Sequence, residues 1–244
     1  MKTLILIPLL LALSAFVPLS NQSDNRLTGA WEWREGNEIR TAIFTPGHYA
    51  VTAYDLAGKK FIDTRGGSWQ INGKNLVLKE EFNTAEKEQV GKESRVPFTV
   101  KGKTLSVSLS HTDGKPRQWT QLDAGGPGKL AGAWLITGRV VDDGMQKITP
   151  GARRTMKILS GTRFQWIAYN TDTKEFFGAG GGTYSTENGK YTENIQFFSR
   201  DNSRVGQSLE FDFSLEDGNW RHKGLSSKGD PIDEVWTKRE QLGI

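Results

Sequence analysis

Leu27-Thr28-Gly29-Ala30-Trp31 is repeated, with one change, as Leu130-Ala131-Gly132-Ala133-Trp134. Further pairs follow in the same order and at a nearly constant offset. They are Ala53-Tyr54-Asp55 with Ala168-Tyr169-Asn170, Gly66-Gly67-Ser68-Trp69 with Gly181-Gly182-Thr183-Tyr184, Val90-Gly91 with Val205-Gly206, and Trp119-Thr120 with Trp236-Thr237. Ordered self-similarity of this kind indicates an internal duplication. The sequence therefore predicts two related domains, residues 27–123 and 130–240, joined by a linker at 124–129 that contains Gly and Pro.

Each copy has the pattern of short strands separated by turns, and no segment shows a convincing helical period. The strands predicted in the second copy are Ala133–Val141, Arg154–Leu159, Arg163–Asn170, Phe176–Thr186, Lys190–Ser199, Ser208–Glu216, Trp220–Ser226 and Asp233–Arg239. Eight antiparallel strands can close into an up-and-down barrel, which removes exposed sheet edges. We therefore predict an all-β protein with two tandem eight-stranded barrels. Asp142–Gly151 is an insertion in the second copy, and we expect it to lengthen the first loop with room for a short helical turn.

The N-terminus has the pattern of an export signal. Lys2 precedes an apolar run, Leu4–Leu13, and small residues follow it. The run is shorter than the roughly 20 residues of a membrane span, so we predict a cleaved signal peptide over residues 1–20, no transmembrane segment and a periplasmic or secreted protein. Because the chain contains no Cys, disulfides and a lipid-modified cysteine are excluded.

The charge of the chain is nearly balanced, with 32 Lys and Arg against 28 Asp and Glu. The signs are interspersed and no basic run stands out. Nucleic-acid binding requires a concentrated basic face, so we expect no nucleic-acid partner.

A set of aromatic and ionisable residues in the second copy alternates onto faces that should line the barrel. The candidate binding residues are Trp166, Tyr184, Tyr191, Glu193, Trp220, His222 and Glu234. A carboxylate inside an apolar barrel costs several kcal/mol unless it is paired. His222 is the expected partner of Glu193, with Tyr169, Tyr184 and Tyr191 as further donors. Three interpretations stay open: a satisfied polar cluster that fixes the register, an anchor for the head group of a ligand, and a metal site formed by Glu193, His222 and Glu234, which is disfavoured because it has one His.

The glycine run Gly178-Ala179-Gly180-Gly181-Gly182 lies within a strand pattern, where glycine costs stability. It indicates a bend or bulge that lets the barrel close, or space for a ligand at the inner wall. A phosphate-binding loop would need a following helix, and the sequence continues as a strand.

The first copy lacks the polar candidates of the second. Leu78 occupies the position of Glu193, and Leu105 and Val107 lie near the positions of Trp220 and His222. His48 and His111 lie at turns, where we expect exposure to solvent. A specific polar site is therefore predicted in the second copy, while the first is a spacer, a partner for the second barrel or a binder of apolar ligand.

The Gly-x-Trp pattern at Gly29-Ala30-Trp31 and Gly132-Ala133-Trp134 resembles the signature of the lipocalins. In that family the Trp closes the floor of the barrel and a basic residue of the last strand packs over it. The resemblance assigns this role to Arg239 in the second copy, by a cation–π contact. The first copy has no Lys or Arg directly after Trp119.

The second copy also resembles lipocalin-like domains of unknown function in exported proteins of Gram-negative bacteria. The matching motifs are Phe164-x-Trp166-x-x-Tyr169, Gly178-x-Gly180-Gly181-Gly182-Thr183-Tyr184, Tyr191-Thr192-Glu193, Trp220-x-His222-x-Gly224 and Asp233-Glu234-Val235-Trp236. The resemblance implies a calycin-type barrel and export, and no reaction.

Three functions follow as hypotheses. The leading one is a non-enzymatic binding protein that holds a small, largely apolar or amphipathic molecule, with no cofactor and no bound metal. The second is a structural or interaction module whose barrels are filled by side chains. The third is a small hydrolase or isomerase that uses Glu193 and His222 as an acid–base pair. The sequence contains no Gly-x-Ser-x-Gly, no His-Glu-x-x-His and no Cys nucleophile. The oligomeric state is not predicted.

Overall fold

The computed structural model describes residues 26–109, 114–142, 144–226 and 228–244. The predicted signal peptide and His111 lie outside them. The first copy forms a closed antiparallel barrel in which β1 pairs with β8. Its strands are β1 (Gly29–Glu35), β2 (Glu38–Thr45), β3 (His48–Asp55), β4 (Lys60–Asn72), β5 (Asn75–Asn83), β6 (Glu93–Lys101), β7 (Thr104–Val107) and β8 (Arg117–Asp123), with a 3₁₀ turn at Lys87–Gln89.

The second copy forms a matching barrel, closed by pairing of its first and last strands. Its strands are β9 (Gly132–Val141), β10 (Gly144–Lys147), β11 (Arg153–Leu159), β12 (Arg163–Asn170), β13 (Phe176–Glu187), β14 (Lys190–Phe198), β15 (Ser208–Glu216), β16 (Asn219–Leu225) and β17 (Pro231–Lys238). A 3₁₀ turn at Asn202–Arg204 and a short helix α1 (Arg239–Leu242) complete it. The prediction of two tandem all-β barrels is confirmed.

Tight hairpin turns join the strands at one end of the second barrel. Asn188-Gly189 and Asp217-Gly218 both have positive φ at the two turn residues, 51° and 76° in the first and 50° and 78° in the second. Such turns match the right-handed twist of paired strands, and Asn-Gly and Asp-Gly adopt them at the least cost. They fix the register of the strands that carry the inward-facing residues.

The insertion after β9 forms a strand, so the expected helical turn is wrong. Gly144–Lys147 pairs with Gly138–Val141 and extends β9 as a hairpin. One edge of β9 pairs with β11 over Gly132–Leu135 and with β10 over Gly138–Val141. Its other edge pairs with β17 over Trp134–Arg139, so the barrel still closes with eight strands.

The glycine run contains a β-bulge, at a shift of register between Gly181 and Gly182. A Cβ atom on Gly182 would lie 2.1 Å from the carbonyl oxygen of Asn194, so the backbones approach too closely for any side chain. The first copy has the same bulge between Gly66 and Gly67. The duplicated Gly-Gly pair therefore allows sharp strand curvature in both barrels.

The two barrels pack side by side through outward-facing apolar residues. This interface is built of Ile39, Ile43, Ala50, Tyr54, Phe82, Ala133, Leu135, Met156, Ile158, Ile167, Tyr169, Ala179 and Phe197. Polar side chains cross it as well: Gln165 accepts a hydrogen bond from Thr52 at 2.7 Å and donates to Thr64 at 2.8 Å. Both faces of β12 are consequently buried.

The first Trp of each copy is anchored in the same way. The indole N–H groups of Trp31 and Trp134 donate to the carbonyl oxygens of Leu27 and Leu130, both at 2.8 Å. The cation over Trp134 is Lys238, whose Nζ lies 5.3 Å from the ring centroid. The assignment of that role to Arg239 is wrong because its guanidinium binds Glu81 of the first barrel at 2.7 Å.

Candidate ligand-binding site

The second barrel encloses a cavity of about 490 Å³. It opens at the end where β9 finishes and β17 begins, away from the tight hairpin turns. Its apolar and aromatic wall residues are Val140, Trp166, Ile195, Phe198, Leu209, Phe211, Pro231, Ile232 and Trp236. Gly180 lies on the same inner wall, where a Cβ atom would meet Nε1 of Trp166 at 2.6 Å. Gly180 thus leaves room for the rings of Trp166 and Phe198. The bulge predicted for the run is present at Gly181-Gly182, whereas space for a ligand at this wall stays a prediction.

A buried ion pair lies in the cavity. Nζ of Lys157 is 2.7 Å from Oε1 of Glu193, and both side chains are almost fully buried. The hydroxyl of Tyr191 donates to the same Oε1 at 2.9 Å. An isolated charge here would be costly, and the pair neutralises itself at short range.

Four aromatic rings surround the ammonium group of Lys157. Its Nζ lies 4.9 Å from the centroid of Tyr191, 5.1 Å from Trp220, 5.5 Å from Trp236 and 5.6 Å from Phe211. The negative faces of aromatic rings attract a cation within about 6 Å. The barrel therefore fixes one cation in an aromatic cage.

His222 connects Lys157 to a second carboxylate. Its Nε2 lies 3.5 Å from Nζ of Lys157 and its Nδ1 lies 3.4 Å from Oε2 of Glu234. An ammonium group can only donate, so Nε2 accepts and we assign the ring proton to Nδ1. Burial and the charge of Lys157 lower the pKa of His222, which favours the neutral ring.

Glu234 completes the polar chain toward the open end. It accepts from the indole of Trp236 at 3.2 Å and from Arg139 at 3.3 Å. Burial alone would raise the pKa of Glu234, but the hydrogen bond from His222 and the charges of Lys157 and Arg139 hold it below its usual range. The carboxylate thus stays ionised at neutral pH.

The seven predicted site residues do not all reach the cavity. Those that line it are Trp166, Glu193, His222 and Glu234. Tyr191 and Trp220 are fully buried and contact the Lys157 ammonium. Tyr184 packs against Tyr191 in the barrel core without lining the cavity, and its hydroxyl donates to the carbonyl oxygen of Ser160 at 2.6 Å.

Two of the predicted donors to Glu193 are wrong, and its main partner was not expected. Tyr184 bonds Ser160, and Tyr169 donates to Glu81 in the interface at 2.5 Å. His222 approaches Lys157 and Glu234 instead of Glu193. The signal for Lys157 was present in β11, where Thr155, Lys157 and Leu159 share the face opposite Met156 and Ile158.

The first barrel differs from this arrangement. Leu78, Leu105 and Val107 lie in an apolar core with Trp31 and Trp119. It does contain a separate polar cluster, which the comparison of the two copies within the sequence did not predict. Arg65 pairs with Glu80 at 3.0 Å, Asn83 donates to Glu80, and a smaller cavity of about 300 Å³ adjoins them.

His48 is not the exposed residue that its position at a turn suggested. Its Nδ1 is enclosed without a hydrogen-bond partner, and its carbonyl oxygen accepts from the indole of Trp69 at 3.0 Å. Burial and the nearby charge of Arg239 lower the pKa of His48 to about 4.

The contacts of the cluster disfavour a metal ion. Lys157 lies against both Glu193 and His222, so a further cation would be repelled. Across the described ranges, no group of three or more His, Asp and Glu side chains is arranged to hold a metal. None of the helices in the same ranges has the length and apolar character needed to cross a membrane.

The comparisons with known proteins add little to the geometry. The sequence matches no family model and no curated protein. Among solved structures it is similar to the Helicobacter pylori beta clamp in complex with carprofen, with 8% sequence identity and a TM-score of 0.16. The match covers 86% of this chain and 55% of the beta clamp chain. A TM-score this low carries no argument about function.

Proposed function

We propose that this protein is a non-enzymatic binding protein whose second barrel holds a small, largely apolar ligand. The observation that carries the proposal is the open cavity of about 490 Å³, with aromatic and aliphatic walls and a few converging polar groups. Concave sites of this size and composition are typical of small-molecule binding. An eight-stranded barrel is just wide enough to hold one such molecule.

The contrast between the two barrels supports this function over that of a filled structural module. The first barrel packs Trp31, Phe44, Tyr49 and Trp119 into its core and keeps only the smaller cavity of about 300 Å³ beside Arg65 and Glu80 among its described residues. In the second, the fully buried Trp134 and Trp220 close the end with the tight turns, while the wall above them stays open. The resemblance of this copy to lipocalin-like domains points in the same direction.

The acid–base alternative has weaker support. A general base works best when its pKa is matched to the operating pH and it can reach the substrate. Glu193 is bonded to Lys157 and Tyr191, and His222 faces Lys157 and Glu234. The two residues of the supposed pair are therefore engaged with other partners.

Export is part of the proposal and rests on the pattern from Lys2 to Ser20. N-terminal sequencing of the protein from the periplasmic and medium fractions of a Gram-negative host tests it. Mature chains that begin between Ala15 and Asn21 are expected. A cytoplasmic protein that retains Met1 would contradict export and leave the binding function untouched.

Titration with N-phenyl-1-naphthylamine, an uncharged dye that fluoresces in apolar surroundings, tests binding. We expect saturable enhancement with the wild type and its loss in Leu209→Trp, which fills the cavity. Leu215→Trp is the matched control on the same strand, because Leu215 is 48% exposed and does not line the cavity. No enhancement with the wild type, or equal loss in both variants, would overturn the function.

A further inference from the structure

The ion pair in the cavity has hydrogen-bonding capacity that the protein does not use. Both hydrogen bonds that Glu193 receives from the described residues end on Oε1. Its Oε2 has no donor among those residues. It is also absent from the fully enclosed unpaired atoms, which are Nδ1 of His48, the hydroxyl of Tyr49, Nε of Arg65 and Nε1 of Trp220. Glu193 lines the cavity with a side chain only 4% exposed, so Oε2 is its unused acceptor beside that cavity.

Lys157 offers a donor beside that acceptor. An ammonium group has three N–H donors, and Oε1 of Glu193 and Nε2 of His222 account for two of them. Lys157 also lines the cavity. A ligand group that reaches this point meets one free donor and one free acceptor within a single ion pair.

The charges around the pair disfavour an ionised head group. Lys157 and Glu193 neutralise each other at 2.7 Å, so neither a carboxylate nor an alkylammonium finds an uncompensated counter-charge in the pair. Of the other charged wall residues, Arg139 pairs with Glu234, and Asp233 pairs with Arg221 at 2.7 Å. Arg200 and Asp230 lie at the open end, where the Arg200 guanidinium donates to the carbonyl oxygen of Phe177. Transferring a further unpaired charge into a buried site is costly.

We propose that the cavity selects an uncharged amphiphile whose hydroxyl group accepts from Lys157 and donates to Oε2 of Glu193, with its chain along the aromatic wall. This inference rests on the proposed function and specifies the ligand class. A hydroxyl supplies one donor and one acceptor, which matches the pair. A site built to hydrogen-bond such a group discriminates strongly against partners that leave its polar groups unpaired.

Decanol, decanoate and decylamine separate the possible head groups at constant chain length. Displacement of N-phenyl-1-naphthylamine from the wild-type protein at neutral pH is measured for each. Decanol is expected to bind at least about tenfold more tightly than either charged probe. Glu193→Gln leaves the charge of Lys157 uncompensated. In this variant the affinity for decanoate relative to that for decanol is expected to rise by at least about tenfold.

Several results would overturn the proposal. Wild-type protein that binds decanoate as tightly as decanol, or more tightly, would contradict it. Loss of that decanoate binding in Arg200→Gln would then place the head group at the open end of the cavity. An unchanged ratio in a folded Glu193→Gln also contradicts it. The wild-type ratio needs no variant, so a misfolded Glu193→Gln does not obscure the outcome. If the dye binds but no decyl probe displaces it, the ligand class is wrong while binding stands; if the dye does not bind, the proposed function itself fails.

Discussion

Lys157 is the residue on which the polar cluster depends, because it compensates Glu193 and contacts four aromatic rings. Lys157→Met leaves the Glu193 carboxylate buried with Tyr191 as its remaining donor. We expect the free energy of unfolding to fall by about 3 kcal/mol, as for other broken buried pairs. Urea unfolding at neutral pH measures the loss.

The double variant Lys157→Met with Glu193→Leu is the control for that prediction. Replacing both members of a buried pair by apolar residues is often neutral, so most of the lost stability should return. A single variant as stable as the wild type would mean that Glu193 is solvated, and the described cluster would be wrong.

His48 makes the stability of the protein depend on pH. Its pKa in the folded state is about 4, below the ordinary value of 6.5, so the unfolded chain binds more protons between these values. Stability is therefore full above about pH 6.5 and falls by up to about 3 kcal/mol as the pH drops to about 4. His222, whose pKa is also lowered, adds to the same trend.

His48→Gln isolates this contribution, since the amide does not titrate. Urea unfolding at a series of pH values should show a shallower loss of stability between about pH 6.5 and 4 than in the wild type. The steeper loss at lower pH should remain because Glu81, with a pKa of about 2, still becomes protonated there. An unchanged slope in the upper range would contradict the burial of His48.

For single residues, the sequence predicted which side chains lie inside the second barrel better than it predicted the partners that they contact. Alternation along β14 and β16 correctly placed Glu193 and His222 inside the barrel. It could not assign Lys157 as the partner, because β11 and β14 are not adjacent and their side chains meet only across the barrel interior. Tyr169 was misassigned since a strand pattern alone does not reveal that the outer face is covered by another domain.

The Gly-Gly bulge is the element that lets β13 curve. Gly182→Ala would place a Cβ atom 2.1 Å from the backbone of Asn194. We expect a loss of at least about 2 kcal/mol in unfolding free energy, because the backbone must move to relieve the overlap. Thermal or urea unfolding measures it.

Gly151→Ala is the matched control, since nothing lies within 4 Å of the added Cβ atom. It should change stability by no more than about 0.5 kcal/mol. Equal effects of the two substitutions would show that the bulge geometry is not required.

Strands and turns were the most predictable elements of the fold. Alternating apolar residues and Asn-Gly or Asp-Gly turns are local signals, and the barrel strands of the second copy begin and end within two residues of prediction. The hairpin strand β10 was missed because its four residues are all exposed and carry no apolar alternation. The cation over Trp134 was misassigned by one residue. Lys238 ends β17, whereas Arg239 begins α1, and this change of chain direction points Arg239 away from the second barrel.

In the whole molecule, the two barrels share one apolar interface with a buried ion cluster. Glu81 of the first barrel accepts from Arg239 at 2.7 Å and from Arg154 at 3.1 Å. Burial acts to raise the pKa of Glu81, but Arg239, Tyr169 and Arg154 lower it to about 2. We therefore expect the wild type to unfold in one cooperative transition.

Arg239→Met removes the main partner of Glu81 and should lower the unfolding free energy by about 3 kcal/mol. We also expect the two barrels to unfold at separate urea concentrations, detected by fluorescence and far-UV circular dichroism. Arg204→Met, at a peripheral pair with Asp201, is the control and should cost less than about 1 kcal/mol. Two transitions already present in the wild type would contradict coupling through this interface.

The central claim is that the second barrel, and not the first, holds a ligand in its cavity. Nuclear Overhauser effects between decanol and the labelled methyl groups of the protein measure this directly. The structure predicts contacts to Ile195, Leu209 and Ile232, which line the cavity, and none to Leu76 and Leu105 in the core of the first barrel. Contacts confined to the first barrel, or none at saturating decanol, would contradict the claim.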